Sequence, residues 1–219
     1  MSLSVLGDVL ETTPQFERLR ASMGQSKAHV RLQVLPNGVP MTLATLARNV
    51  DVPVLLVAPR PDQARRLYEQ VSLWSADESS VLHFPESETL PFERLVTDAD
   101  TEQQRIGVLA RLLDHDSPDA DTRPNPDIII ASASAVSQKT ISRESFEKSL
   151  HRLVPGQTLD LRELLDRWRR MGYAFEPTVD LPGTAGRRGG ILDVYPVGAE
   201  FPARIDLWGD EIDSRSEEH

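Results

Sequence analysis

With 219 residues, a formal net charge of −10 and a pI of about 5.0, the chain is a poor candidate for binding nucleic acid by itself, which usually takes a basic stripe. It has no cysteine, which excludes disulfides and thiolate metal sites and fits a cytoplasmic protein. No apolar run reaches the about 18 residues of a membrane span, and the opening MSLSVLGDVLETT has neither the basic nor the apolar region of a signal peptide.

Hydrophobic residues at 39% and charged residues at 26% suit a globular chain of one large or two small domains. Arginine outnumbers lysine. A GC-rich genome accounts for that bias, and so does a demand for planar, two-point pairing with carboxylates at an interface.

Val5, Leu6, Val9, Leu10, Phe16 and Leu19 recur at helical spacing, and Pro14 divides them into two short helices. HVRLQVL (29–35) alternates as a strand, PNGV makes a turn, and MTLATLARN (41–49) predicts a helix. PVLLVA (53–58), a continuous apolar run, is expected to be a strand buried on both faces of a parallel sheet. A helix over 62–74, a strand over 80–84 and a helix over 98–115 follow. Residues 114–126, rich in Pro, Asp and Ser, read as a solvated loop, and DIIIAS (127–132) as a buried strand. This alternation predicts an α/β domain with a mainly parallel sheet over residues 1–148.

The pattern changes after that. HRLVPGQTL (151–159) reads as a strand ending in a Pro-Gly turn. DLRELLDRWRRMGY (160–173) is an amphipathic helix with Asp160 as its cap and Gly172 as its stop. YAFEPTVD, GGILDVYP and PARIDLWGDEID are strand-like and separated by Gly and Pro turns. Residues 149–219 are therefore expected to form a small α+β domain, one helix against a short antiparallel sheet.

The search for chemistry yields little. A phosphate loop would fall in LPNGVPMTLA, which offers Gly38 and Thr42 but no lysine, and Pro40 removes a backbone donor. An ordinary strand-to-helix turn is the expectation there. His29, His83, His115, His151 and His219 have no ligand spacing, and His83 is expected to be half-buried and structural. Asp210, Glu211 and Asp213 read as a solvated turn rather than a cation site. No Gly-x-Ser-x-Gly elbow surrounds Ser132, Ser134 and Ser137. No metal, no cofactor and no catalytic residue is expected.

The remaining signal is a surface. Arg204, Asp206 and Trp208 recur at every second position, so they share one face of a strand while Ile205 and Leu207 take the core face. An exposed Trp beside an Arg is a pairing enriched at binding hot spots. The plainer reading is a self-satisfied cluster, with the Arg stacked on the Trp and Asp206 alongside.

The same residues carry a family likeness. RRGGILDVYP, followed by PARIDLWGDEIDS, resembles two strands of the bacterial transcription-repair coupling factors. FPESETLPFE (84–93) resembles a second hallmark of that family, and LLDRWRRMGYAFEPTVDLPG the helix and strand between them. The likeness runs in order from about residue 5 to Ser214, with Trp208 standing where Phe is commoner. It implies a degenerate helicase-like parallel-sheet domain followed by a small α+β domain similar to domain 2 of the excision-repair protein UvrB. It also implies a non-catalytic fragment that recruits UvrA to stalled transcription complexes in nucleotide excision repair, with Arg188, Arg204 and Trp208 contacting UvrA. RNA polymerase, double-stranded DNA, ATP and magnesium belong, on this likeness, to other domains of a longer ATP-driven, helicase-like translocase. The alternative is a UvrB-like ATP-dependent protein that binds damaged DNA, against which the missing lysine near Gly38 stands.

Overall fold

A computed structural model of the protein describes residues 3, 5–23, 29–87, 99–115, 127–199 and 201–217. The chain divides into two compact units, Met1–Lys139 and Thr140–His219.

In the first unit, α1 (Val5–Glu11) and α2 (Pro14–Met23) precede α3 (Val39–Ala47), β1 (Val54–Ala58) and α4 (Pro61–Trp74). β2 (Val81–Phe84), α5 (Ala99–His115), β3 (Ile128–Ser132) and the one-turn α6 (Ala133–Ser137) complete it. The three strands are parallel in the order β1-β3-β2, an α/β arrangement as the sequence predicts. Pro14 opens α2 rather than merely ending α1, and Pro61 opens α4 with Asp62 in its first turn, the position where proline's missing N–H costs nothing.

Strand register sorts the side chains into two layers. Val54, Ile128 and Val81 lie in one row and Leu56, Ile130 and His83 in another, on the face packed by α3 and α4 through Leu43, Ala44, Ala64 and Val71. Leu55, Ile129 and Leu82, then Val57, Ala131 and Phe84, occupy the opposite face. There α5 contributes Val108, Leu109 and Leu112 over Phe84, Ile129 and Ala131.

That second layer stops short of β1. Leu55 is 53% and Val57 46% exposed, so the expectation of a strand buried on both faces fails for 53–58. The apolar run reads as a central strand, but its place is at the sheet edge, and β3 alone is buried throughout. The expected strand over 29–35 is also absent. Those residues are exposed, pair with no strand among the described residues, and lead into a 3-10 turn at Pro36–Gly38. Their alternation is real, but alternation alone cannot supply the ladder partner a strand requires. The predicted loop over 114–126 lies outside the described residues from 116 to 126, and so does the part of 84–93 from residue 88 on.

The second unit begins with α7 (Arg143–Ser149), followed by α8 (Leu161–Arg170), β4 (Ala174–Phe175), β5 (Thr184–Arg188), β6 (Ile191–Tyr195), β7 (Ala203–Trp208) and β8 (Glu211–Glu217). The sheet order is β4-β5-β6-β7-β8, antiparallel except that β4 joins parallel to β5. Asp160 caps α8 as expected, accepting from Arg162 N at 2.9 Å and Glu163 N at 3.1 Å. Gly172 follows the helix at φ 96°, a left-handed conformation that glycine adopts freely. Leu164 and Trp168 of α8 pack on Ala185, Leu192, Val194, Ala203, Ile205 and Ile212, which form the inner face of the sheet.

One expectation is corrected here, and one strand is added. Residues 151–159 do not form a strand. They run beside the start of β8, with Gly156 N–H donating to Ile212 O, Ile212 N–H to Gln157 O and Leu159 N–H to Asp210 O. Pro155 has no N–H to extend that ladder. Conversely, TAGRR (184–188) is a full strand that its composition hides. It meets β6 across a two-residue loop, Gly189-Gly190, with Arg188 opposite Ile191 and Gly189 at φ 63°.

Candidate functional site

The outer face of the five-stranded sheet collects the residues singled out from the sequence. Gly186, Asp193, Arg204 and Ser216 form one cross-strand row, and Arg188, Ile191, Asp206 and Ser214 the next. Arg188 and Arg204 therefore share the face, two strands and two residues apart. Ideal strand spacings put their Cα atoms roughly 12 Å from one another.

Both arginines are anchored by acceptors from their own sheet region. Arg188 Nη2 donates to Pro177 O at 2.5 Å. Arg204 makes a two-point contact with Asp193, Nε to Oδ1 at 2.8 Å and Nη2 to Oδ2 at 3.3 Å. Asp206, expected beside Arg204, instead accepts from the Ser214 hydroxyl at 3.2 Å.

Trp208 ends β7, 84% exposed. Alternation along β7 holds to its end as expected, because the register shift in the β7–β8 ladder between Asp206 and Leu207 is taken up on β8, where Asp213 is the extra residue. Leu207 N–H donates to Gly190 O at 2.8 Å, and its side chain packs against the core. Trp208 is thus left on the outer face, next to the glycine loop that follows Arg188. The self-stacked cluster does not form. Among the described residues, guanidinium-over-ring contacts are Arg105 on Phe84 and Arg169 on Phe175, and Arg204 turns to Asp193 instead.

Sequence reasoning missed Asp193 and the Pro177 carbonyl. Asp193 had a signal: in ILDVY it occupies the same face as Ile191, a single acid placed where the opposite strand carries Arg204.

The other candidates resolve into structural roles. At the start of α3 the Thr42 hydroxyl donates to Gly38 O at 2.8 Å, and Pro40 is buried. A Cβ on Gly38 would sit 3.2 Å from the Val34 side chain, so that side chain already crowds the loop. Ser132 caps α6 by accepting from Ala135 N, Ser137 donates to Ala133 O, and Ser134 donates to Glu86. Burial pushes the His83 imidazole below its usual pKa, which Gln104 partly offsets by hydrogen bonding; the ring lies 5.6 Å from that of Tyr68. Among the described residues no group of three or more His, Cys, Asp or Glu is placed to hold a metal, and no helix is long and apolar enough to cross a membrane.

All three outer-face residues lie in one recognisable segment. Residues 151–218 match the UvrB interaction domain. The chain is 28% identical over 171 residues to the transcription-repair-coupling factor of Bacillus subtilis (strain 168), covering 78% of this chain and 14% of that protein. Against the transcription-repair-coupling factor of Mycobacterium tuberculosis the identity is 28% over 201 residues, 92% of this chain and 16% of the relative. UvrABC system protein B of Thermotoga neapolitana is 24% identical over 191 residues, 84% of this chain and 28% of that protein. The expected likeness to both the coupling factors and UvrB therefore holds over most of the chain, which spans about a seventh of the length of the coupling factors it matches.

Proposed function

We propose that this chain is a non-catalytic docking module of a transcription-repair coupling factor, acting in the cytoplasm to recruit UvrA to stalled transcription complexes. The observation that carries the reading is the outer face of the interaction-domain sheet, where Arg188, Arg204 and an 84%-exposed Trp208 stand together. Arg188 and Arg204 pair with carboxylates of UvrA, and Trp208 supplies apolar contact area beside them. RNA polymerase, double-stranded DNA, ATP and magnesium are assigned to other parts of a longer parent.

A UvrB-like ATP-dependent enzyme is the second reading, favoured by the match to UvrABC system protein B. Against it, the segment from Pro36 to Thr42 has no lysine to meet β- and γ-phosphates, and Pro40 lacks an N–H donor. Titration calorimetry of the chain with Mg-ATP and, separately, with UvrA distinguishes the two. UvrA binding that falls with Arg188→Ala, Arg204→Ala or Trp208→Ala is the expected result; each change removes a group whose loss at a desolvated contact costs about 2–5 kcal/mol. UvrA binding that survives all three substitutions unaltered sinks the site, and ATP binding by the chain restores the second reading.

A further inference from the structure

We infer that Asp193 is a positioning residue for the docking face, holding the Arg204 guanidinium in its binding orientation before any partner arrives. The inference rests on the proposed docking of UvrA. Asp193 lies directly opposite Arg204 in the β6–β7 register. Its carboxylate takes Nε and Nη2 together, the lateral edge of the guanidinium fork, and so does not itself occupy the Nη1–Nη2 end edge.

The two side chains are unequally covered. Asp193 is 18% exposed and Arg204 35%, which makes the acid a support beneath the base rather than a second presenter. Arginine carries large rotamer entropy, and fixing it in advance removes an ordering cost from association. Arg188 is treated alike, its Nη2 held by Pro177 O. Two arginines on one face, each anchored by a neighbouring acceptor, make a prearranged surface.

The competing role for Asp193 is an intramolecular competitor that must be displaced, and the sign of one measurement separates the two. Removing a negative charge near an arginine that meets UvrA carboxylates tightens binding if Asp193 competes, and weakens it if Asp193 positions. The experiment is calorimetric titration of UvrA with the full chain, with Asp193→Asn and Asp193→Glu, and with Asp193→Asn combined with Arg204→Ala. Asp193→Asn is expected to weaken binding about 3- to 10-fold, Asp193→Glu to recover most of the loss, and Asp193→Asn to add nothing once Arg204 is alanine. Unchanged or tighter binding by Asp193→Asn overturns the inference, as does an equal loss in the Arg204→Ala background. In the free chain, ¹⁵N NMR is expected to show the Arg204 Nε–H exchanging more slowly than in Asp193→Asn, and equal exchange overturns the positioning role whatever UvrA does. A wild-type chain that does not bind UvrA, yet shows the slowed Nε–H, overturns the proposed function and with it the partner named here.

Discussion

Arg111 and Asp127 tie the long helix of the first unit to the start of its central strand. Arg111 Nη2 reaches Asp127 Oδ1 at 2.6 Å, and the Asp127 side chain is 1% exposed. Its backbone carbonyl also receives Val54 N–H at 2.9 Å, so one residue fixes both α5 and β1 to β3. Replacing Asp127 with Ala removes a charge-assisted hydrogen bond and leaves Arg111, one-third exposed, to water and the Ser79 carbonyl, a loss of about 1.5–3 kcal/mol. Denaturant unfolding of Asp127→Ala is expected to show a lowered midpoint at unchanged slope; a shift under 1 kcal/mol would mean that the pair is not structural.

The β1 strand shows what the sequence could and could not convey. VLLVA and IIIAS have the same apolar character, and both strands were legible from it. Which one is central depends on neighbours far along the chain, and no local pattern records them. Leu55→Lys and Val57→Lys, at exposed positions on the open face, are therefore expected to change stability by no more than about 0.5 kcal/mol, whereas Ile130→Ala in the middle of β3 costs about 2–5 kcal/mol. Equal losses at the two strands, measured by urea unfolding, would contradict this layer assignment.

The proposed docking face was legible in part, as a shared strand face, for the same kind of reason. Strand period placed Arg204 and Trp208 on one side, because inner and outer residues alternate wherever one face is buried. β5 escaped notice since Thr184, Ala185 and Gly186 offer little bulk. Gly186 has a packing reason: a Cβ there would lie 2.7 Å from Glu176 O, too close for either backbone to stay in place. Gly186→Ala is expected to destabilise the second unit by about 1–3 kcal/mol and to weaken UvrA binding by disturbing the strand that carries Arg188. An unshifted melting temperature would show that β4 gives way without cost.

Protonation supplies a further test. Burial lowers the pKa of His83, and burial together with Arg167 lowers that of His151, whose Nδ1 is buried without a hydrogen-bond partner. Below the ordinary histidine value of about 6.5 the unfolded chain takes up these protons before the folded chain does. Stability is then fully present above that pH and is lost as pH falls through the lowered folded values. Urea midpoints are expected to fall between neutral and mildly acidic pH, and His83→Gln to flatten the decline. A decline of equal steepness in His83→Gln would remove this residue from the account.

Two tryptophans separate folding from the proposed docking within a single unit. Trp168 is buried at 4% exposure, packed by α8 against Leu192 and Ile205, while Trp208 is 84% exposed at the end of β7. Trp168→Ala opens a cavity in the core that α8 shares with the sheet, at a cost of about 3–5 kcal/mol. Trp208→Ala removes a side chain that water already surrounds, so stability should move by no more than about 0.5 kcal/mol. UvrA affinity should respond in Trp208→Ala nonetheless, by roughly tenfold or more for a hot-spot aromatic. Measuring unfolding and UvrA titration on the same preparation tests both halves at once: a Trp208→Ala chain that melts early makes Trp208 a structural residue, and one that melts normally and binds normally removes it from the docking face.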